Sequence, residues 1–346
     1  MPKTRLQFFL TLVLSASALI TGSLTMAQSD KIVIAHRGAS GYLPEHTLEA
    51  KAMAYAMGAH YIEQDVVMTK DDVLIVLHDI DLERTTDVRA RFPGRERQDG
   101  RYYAIDFTLA EIRTLNATEG FDVRDGEVVQ GYPTRFPTGT SQFRIPTLAE
   151  EIELIQGLNH STGRDIGIYP EIKGPEFHRE HGKDISTAVV NMLRDYGYTS
   201  KNSKVFLQTF SFDELKIIRE QILPAAGIDL NLIMLIGDPN ANPWMFAADG
   251  MEQLSQWADG IGPANNLVVE RTSTRNDIRI TPLVERAHDA GLQVHPYTYR
   301  ADPGQVPSYA EDFDAYLRIH YFEAEVDGVF TDFPDRAVQF LRRHRI

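Results

Sequence analysis

Apolar residues recur along this chain in two alternating periods. Short β-branched runs ending in polar residues read as buried strands, and stretches with apolar positions three and four apart read as helices packed on one face. The run KIVIAHR at 31–37 opens the series. A helix over 47–57 follows, with Leu48, Ala52, Tyr55 and Ala56 on one stripe and Gly58 as its stop signal. Further strands are predicted at 61–68, 166–173, 204–210, 230–236, 260–269, 292–299 and 328–333. Helices are predicted near 185–196, 212–222, 251–258, 281–290 and 335–340. Thr147 with Glu150, and Ser211 with Glu214, fit the capping box, while Thr281-Pro282 puts proline at a first helical position. Eight strands alternating with helices predict a TIM (β/α)8 barrel, with a doubly wound sheet as the alternative.

One segment breaks the rhythm. Residues 80–146 carry Pro93-Gly94, Asp99-Gly100, Asp125-Gly126, Pro133 and Pro137, with one short helix expected at 108–115. That is too long for an ordinary loop and too aromatic for a disordered one, so a small subdomain inserted after the second strand and its hairpin is expected. At the other extreme, Lys3 and Arg5 precede an apolar run from Phe8 to about Ile20, followed by Thr25-Met26-Ala27. This is the order of a secretory signal peptide, expected over 1–27, which leaves a barrel domain over 28–346. The apolar run is short for a membrane span of roughly 20 residues.

Composition narrows the partners. With 35 Lys and Arg against 49 Asp and Glu, the net charge is -14, and loss of a leader charged only at Lys3 and Arg5 deepens it to -16. So acidic a surface repels phosphate backbones and anionic headgroups, so neither nucleic-acid binding nor stable membrane association is expected. Cysteine is absent, which excludes disulfides, thiolate metal sites and cysteine nucleophiles.

Polar and aromatic residues fall at the C-terminal ends of the predicted strands, where a barrel builds its active site: His36, Glu63, Asp65, Glu171, Lys173, Phe210, Tyr297 and Asp332. Glu63 and Asp65 lie two apart in a strand and project to one face. Such a pair is either a solvated strand tip or a metal site, and the apolar neighbours Tyr61-Ile62 and Val66-Val67-Met68 favour burial. Thr69-Lys70-Asp71-Asp72 signals a hairpin; a turn centred on Lys70-Asp71 sets Glu63 opposite His78. His36 ends the first strand, Arg37 opens a flexible Gly-rich loop, and Glu171 with Lys173 repeats the two-apart logic. A lone histidine is more often structural, but together these make three carboxylates, two imidazoles and two cations. All-oxygen ligation selects Ca²⁺ or Mg²⁺ over zinc, the cations neutralise a phosphoryl group, and a histidine pair supplies acid and base. The constellation predicts phosphodiester hydrolysis.

The motifs His36-Arg37-Gly38-Ala39, Pro44-Glu45-His46-Thr47, Glu63-Gln64-Asp65, His78-Asp79 and Pro170-Glu171-Ile172-Lys173 closely resemble those of the glycerophosphodiester phosphodiesterases, above all the periplasmic bacterial type. The likeness continues through residues 100–106, 158–163, 295–298 and 330–334, and so spans nearly all of the mature chain. It implies a TIM barrel, Ca²⁺ (Mg²⁺ as second choice) held by Glu63, Asp65 and Glu171, an acid–base pair of His36 and His78, and phosphate contacts from Arg37 and Lys173. It also implies small glycerophosphodiester substrates, sn-glycerol 3-phosphate and an alcohol as products, and a periplasmic location; a homodimer stays open. His46 stands where many relatives carry Asn, which leaves open whether Glu45 touches substrate. Which histidine is the base, and whether water or the glycerol 2-hydroxyl attacks, also stay open. Tyr102, Tyr103, Phe107 and Phe121 either cover the glycerol pocket or pack the inserted subdomain. A phospholipase acting on intact lipid and a non-catalytic solute binder are the rival readings.

Overall fold

The computed structural model describes residues 31–344; the leader expected at 1–27 lies outside the described residues. Its strands are β1 (Ile32–Ala35), β2 (Tyr61–Met68), β3 (Leu74–Val76), β4 (Phe121–Arg124), β5 (Glu127–Gln130) and β6 (Gly167–Ile172). They continue as β7 (Phe206–Thr209), β8 (Asn231–Ile236), β9 (Gly260–Pro263), β10 (Gln293–Val294) and β11 (Gly328–Thr331). Eight of them run parallel in the order β10-β9-β8-β7-β6-β2-β1-β11. Backbone bonds bring the two ends of this sheet together: Asp327 N–H donates to Val294 O at 3.0 Å, Phe330 N–H to Pro296 O at 3.0 Å and Tyr299 N–H to Phe330 O at 2.8 Å. The architecture is a nearly closed TIM barrel with helices between the strands, as the period pattern predicts. β10 is far shorter than the expected 292–299, because Pro296 has no N–H to give a ladder.

Side chains alternate between the two faces of each strand and fill two layers. Ile34, Tyr61, Tyr169, Phe206, Ile233 and Phe330 pack the barrel interior, with His295 among them. Ile62, Val66, Leu207 and Leu232, from the opposite strand faces, join the larger core under the helices. On β2, Glu63 and Asp65 share the inward face of Tyr61, so the acids stand above the aromatic plug.

The helices begin where side chains can cap them. Thr147 and Glu150 exchange both capping-box bonds at the start of helix Leu148–Thr162. Ser211 accepts from Glu214 N–H, but the reciprocal half is missing, because Arg179 holds the Glu214 carboxylate at 2.5 Å. Helix Phe212–Ile217 runs on through a π turn to Ala226 and stops at Gly227 in the left-handed conformation. Pro282 sits at the N-cap of Leu283–Asp289, one position earlier than expected.

The β2–β3 hairpin differs from its predicted register. Val66 pairs with Val76 and Met68 with Leu74, so the loop holds three residues rather than two. Thr69 N–H donates to Val73 O and Asp72 N–H to Thr69 O, while Asp72 takes φ 61. This is the three-residue loop that ends in a left-handed residue, a conformation Asp tolerates. His78 lies past the end of β3 and is not opposite Glu63.

Between β3 and β6 the chain packs a cluster of its own around Leu82, Tyr102, Phe107, Ile112, Leu115 and Phe143. The expected helix at 108–115 is the single turn Leu109–Ile112, capped by Thr108 and Glu111. The hairpin of β4 and β5, turning on Asp125 and Gly126 with φ 53 and 84, went unpredicted as strands.

Candidate active site

A cavity of about 310 Å³ opens at the C-terminal ends of the strands. His36, Arg37, Glu63, Asp65, His78, Glu171 and Lys173 all line it, so every sequence-predicted site residue meets there. Phe210, whose ring centre is 5.8 Å from Lys173 Nζ, lines the same cavity with Tyr297, Asn265 and Asn266.

The acids are brought together by register. Asp65 pairs with Glu171 across β2 and β6, Glu171 with Gln208 across β6 and β7, and Glu63 sits one inward position before Asp65. Each carboxylate offers an oxygen within 4.8 Å of the others, and all three residues are buried. Three anions this close cannot all stay charged out of water. Burial first, then Asp65, pushes Glu63 well above its ordinary range. Burial also lifts Glu171 to about 8 against the pull of Lys173. Asp65 stays ionised in spite of its burial, held well below the usual range by Lys173 and His46. One Asp65 oxygen accepts from His46 Nε2 at 2.7 Å, whereas Oδ1 is buried with no hydrogen-bond partner. A cluster of hard carboxylate oxygens with one lone pair left unserved fits a hard divalent cation.

Cations flank the cluster. Lys173 Nζ lies 2.7 Å from Glu171 Oε1 and 3.7 Å from Asp65 Oδ1. Arg37 takes a left-handed φ of 57, donates its backbone N–H to Glu63 Oε2 at 2.8 Å and gives Nη1 to Glu45 at 2.8 Å. Gly38 follows because a Cβ there would meet the Ala50 carbonyl at 2.9 Å. Glu45 also takes Arg84, so it holds arginines and does not line the cavity. His46 stands behind Asp65, and Lys51 backs it at 3.2 Å.

The two histidines share a design. His36 Nδ1 meets Asp332 Oδ1 at 2.6 Å, which leaves Nε2 3.8 Å from Glu63 Oε2. His78 Nδ1 meets Asp79 Oδ1 at 2.6 Å. A carboxylate on one ring nitrogen fixes a tautomer and frees the other nitrogen. Burial, aided by Arg37, lowers His36 to about 4, and the same two causes lower His78. His36 is 7% exposed, whereas the His78 side chain is 31% exposed.

A model of the glycerophosphoryl diester phosphodiesterase family matches residues 36–336. The chain belongs to this family. It is 48% identical over 335 residues to the glycerophosphodiester phosphodiesterase of Haemophilus influenzae, covering 92% of each chain. The enzyme of the same name from Treponema pallidum is 38% identical over 343 residues, with 94% of each covered. A solved structure from Silicibacter pomeroyi, described as a glycerophosphoryl diester phosphodiesterase, aligns at TM-score 0.66 and 26% identity over 91% of this chain and 94% of that one. As a member of the glycerophosphoryl diester phosphodiesterases, the chain is a phosphodiester hydrolase on a TIM barrel. No helix among the described residues is long and apolar enough to cross a membrane.

Sequence reasoning missed the residues behind these groups. Asp332 was visible as a polar strand end without a role. Gln208, which donates to Glu63 Oε1 at 3.2 Å, has a similar signal, since it lies next to the last residue of β7 on the inward face of Phe206. Arg84, Arg135 and Asp302 lie outside the barrel strands and carried no pattern. None of the four aromatics of the 80–146 segment lines the cavity: Tyr102 and Phe107 are buried in its cluster, Tyr103 stacks on Phe177 at 5.2 Å, and Phe121 lies on a separate surface depression with Asp79 and Arg84.

Proposed function

We propose that this chain hydrolyses glycerophosphodiesters, the deacylated forms of phospholipids, to sn-glycerol 3-phosphate and an alcohol, with His36 and His78 moving the protons beside a Ca²⁺ held by Glu63, Asp65 and Glu171. The observation that carries the reading is the pair of aspartate-backed imidazoles opening onto one cavity with the buried carboxylate cluster. Three anionic oxygens suit Ca²⁺, whose loose coordination tolerates an irregular cage better than Mg²⁺ does. A bound divalent cation supplies charge for the phosphoryl oxygens. Arg37 and Lys173 add the protein's own charge at the same wall and orient the phosphoryl group. With each Nδ1–H committed to an aspartate, one Nε2 takes the proton of the attacking hydroxyl. The other imidazole, which is neutral in the empty site, must take up a proton as the anionic phosphodiester binds beside it, and it gives that proton to the departing alcohol oxygen. The small volume of the cavity, about 310 Å³, suits a glycerophosphate without acyl chains. Export to the periplasm belongs to the same reading, supported by the order of charges and apolar residues over 1–27.

The test is hydrolysis of glycerophosphocholine, glycerophosphoethanolamine and diacyl phospholipid vesicles, with and without a calcium-selective chelator. Turnover of the two deacylated substrates, lost on chelation and restored by Ca²⁺, is expected. His36→Ala and His78→Ala should each lower kcat at least about 10³-fold. Activity that survives the chelator removes the assigned role of the three carboxylates, and faster cleavage of vesicles turns the reading to a phospholipase.

A further inference from the structure

Each histidine of the site has an aspartate behind it, and each aspartate has an arginine behind it that comes from the 80–146 segment. Asp79 Oδ2 accepts from Arg84 Nε at 2.6 Å. Arg84 spends its remaining nitrogens on Glu45, which in turn holds Arg37. On the other side Asp332 Oδ2 accepts from Arg135 Nη2 at 2.5 Å. Arg135 is itself fixed on every side. Its Nε and Nη2 fork onto Asp302 at 2.9 and 2.8 Å, Nη1 donates to Ser40 O at 3.2 Å, and its guanidinium lies 3.8 Å from the centre of the Tyr132 ring. The Arg135 side chain is only 5% exposed. Burying an arginine there is costly unless geometry repays it, and a planar fork holds a carboxylate's rotamer as a lysine would not.

We propose that the inserted segment is a two-armed clamp, in which Arg84 and Arg135 are positioning residues that hold Asp79 and Asp332 in place and thereby set the tautomer and aim of His78 and His36. This rests on the acid–base reading of the two histidines given above. It assigns a role to the insertion without placing it over the substrate, in line with its aromatics staying out of the cavity. The two arms are unequal. Asp332 also accepts from Arg300 Nε at 2.8 Å, a barrel residue, so the His36 arm keeps a partner when Arg135 is lost. Among the described residues Asp79 pairs with no arginine but Arg84, so the His78 arm depends on the insertion alone. Gly120 offers a way to reach that arm gently: a Cβ there would stand 2.9 Å from Arg84 Nη1, the end of a flexible side chain.

The experiment compares Arg84→Gln, Arg135→Ala and Gly120→Ala in the full chain, reading steady-state kinetics with glycerophosphocholine and the ¹⁵N-histidine spectrum of the resting protein. Loss of a partner behind a ligand or base costs roughly 10- to 100-fold in activity, so kcat should fall by that much with KM little moved. The fall should be larger for Arg84→Gln than for Arg135→Ala, and Gly120→Ala should move the His78 signals while leaving those of His36. Added guanidinium should restore part of the Arg135→Ala activity. The clamp is overturned if both arginine variants keep their histidine tautomers and kcat, or if their activity falls while the tautomers stay fixed and guanidinium restores nothing. The ¹⁵N readout needs no turnover, so failure of the acid–base reading, seen as activity surviving His36→Ala or His78→Ala, is distinguishable from failure of the clamp.

Discussion

The barrel and its insertion solve the problem of holding polar groups in opposite ways. In the barrel the functional side chains sit on strands, and backbone register fixes them: Asp65 faces Glu171 because β2 and β6 pair residue by residue. The insertion has one-turn helices and an isolated two-stranded hairpin, and it is stitched by side-chain charge: Arg95 with Glu111, Arg97 with Asp106 and Arg101 with Asp81 within it, and Arg113 with Glu150 of the barrel helix Leu148–Thr162. Arginines also lie over its rings, Arg95 at 4.5 Å from the Phe107 centre and Arg97 at 4.4 Å from that of Tyr103. A ladder-built region can carry chemistry directly. A charge-stitched region is suited to holding the groups behind it.

The sharpest test of that contrast is to break one ion pair in each region. Lys51, fully buried between helix Leu48–Met57 and the back of β2, lies 3.1 Å from Glu151 Oε2 and also donates to the Glu63 carbonyl. Removing the lysine strands a buried carboxyl, so Lys51→Met should cost about 3 kcal/mol in urea unfolding, and Lys51→Met with Glu151→Leu should recover most of it. Arg97 and Asp106 are each about one-third exposed. Arg97→Ala should cost under about 1 kcal/mol, with salt erasing most of the difference. Equal losses in the two variants would dissolve the contrast.

Acid should also tell the regions apart. His320 is fully buried in the barrel layer, with Tyr299 OH on Nδ1 at 2.6 Å and Tyr309 OH on Nε2 at 3.1 Å, and burial lowers it to about 3. It stays neutral in the fold while the unfolded chain takes up a proton below about 6.5, so stability falls as pH falls through that value. By pH 5 the His320 share of the loss should reach about 2 kcal/mol, read as the difference in pH slope between wild type and His320→Asn. The insertion has no histidine between 80 and 146. Its buried Glu119 runs the other way: burial raises it to about 8, so the folded form keeps a proton that the unfolded chain loses from about 4.5 upward. Stability from that group declines as pH rises toward 8, and Glu119→Gln should flatten the slope there.

The same contrast explains what was legible in the sequence. Strand and helix periods mark the barrel because backbone ladders demand them, and polar residues ending those strands mark the site. Even there, the hairpin register slipped by one, since a three-residue loop ending in Asp72 leaves no cue beyond a turn signal. β10 was overread because apolar alternation continues past a proline that ends the ladder. In the insertion no period exists to read. Arg135 reaches Asp332 across 197 positions of sequence, and such a contact depends on where a loop folds, which no local pattern encodes.

The smallest expected effect compares one motif placed in both regions. Thr147 with Glu150, and Thr108 with Glu111, form complete reciprocal capping boxes. The first opens the 15-residue helix Leu148–Thr162, whose Leu148, Ile152 and Ile155 are buried against the strands. Thr147 is itself buried, and its hydroxyl serves the Glu150 N–H at 3.2 Å, a donor left without that partner by the substitution. Thr147→Ala should therefore cost about 1 kcal/mol or slightly more. The second opens the 4-residue helix Leu109–Ile112, where Asp71 already accepts from Leu109 N–H at 2.9 Å and Glu111 is shared with Arg95 at 2.9 Å. Because neighbours satisfy part of that terminus from outside, Thr108→Ala should cost about 0.5 kcal/mol. Urea midpoints of the two single variants decide it: a larger loss at Thr108 than at Thr147 would mean that local caps, rather than stitched charges, hold the insertion together.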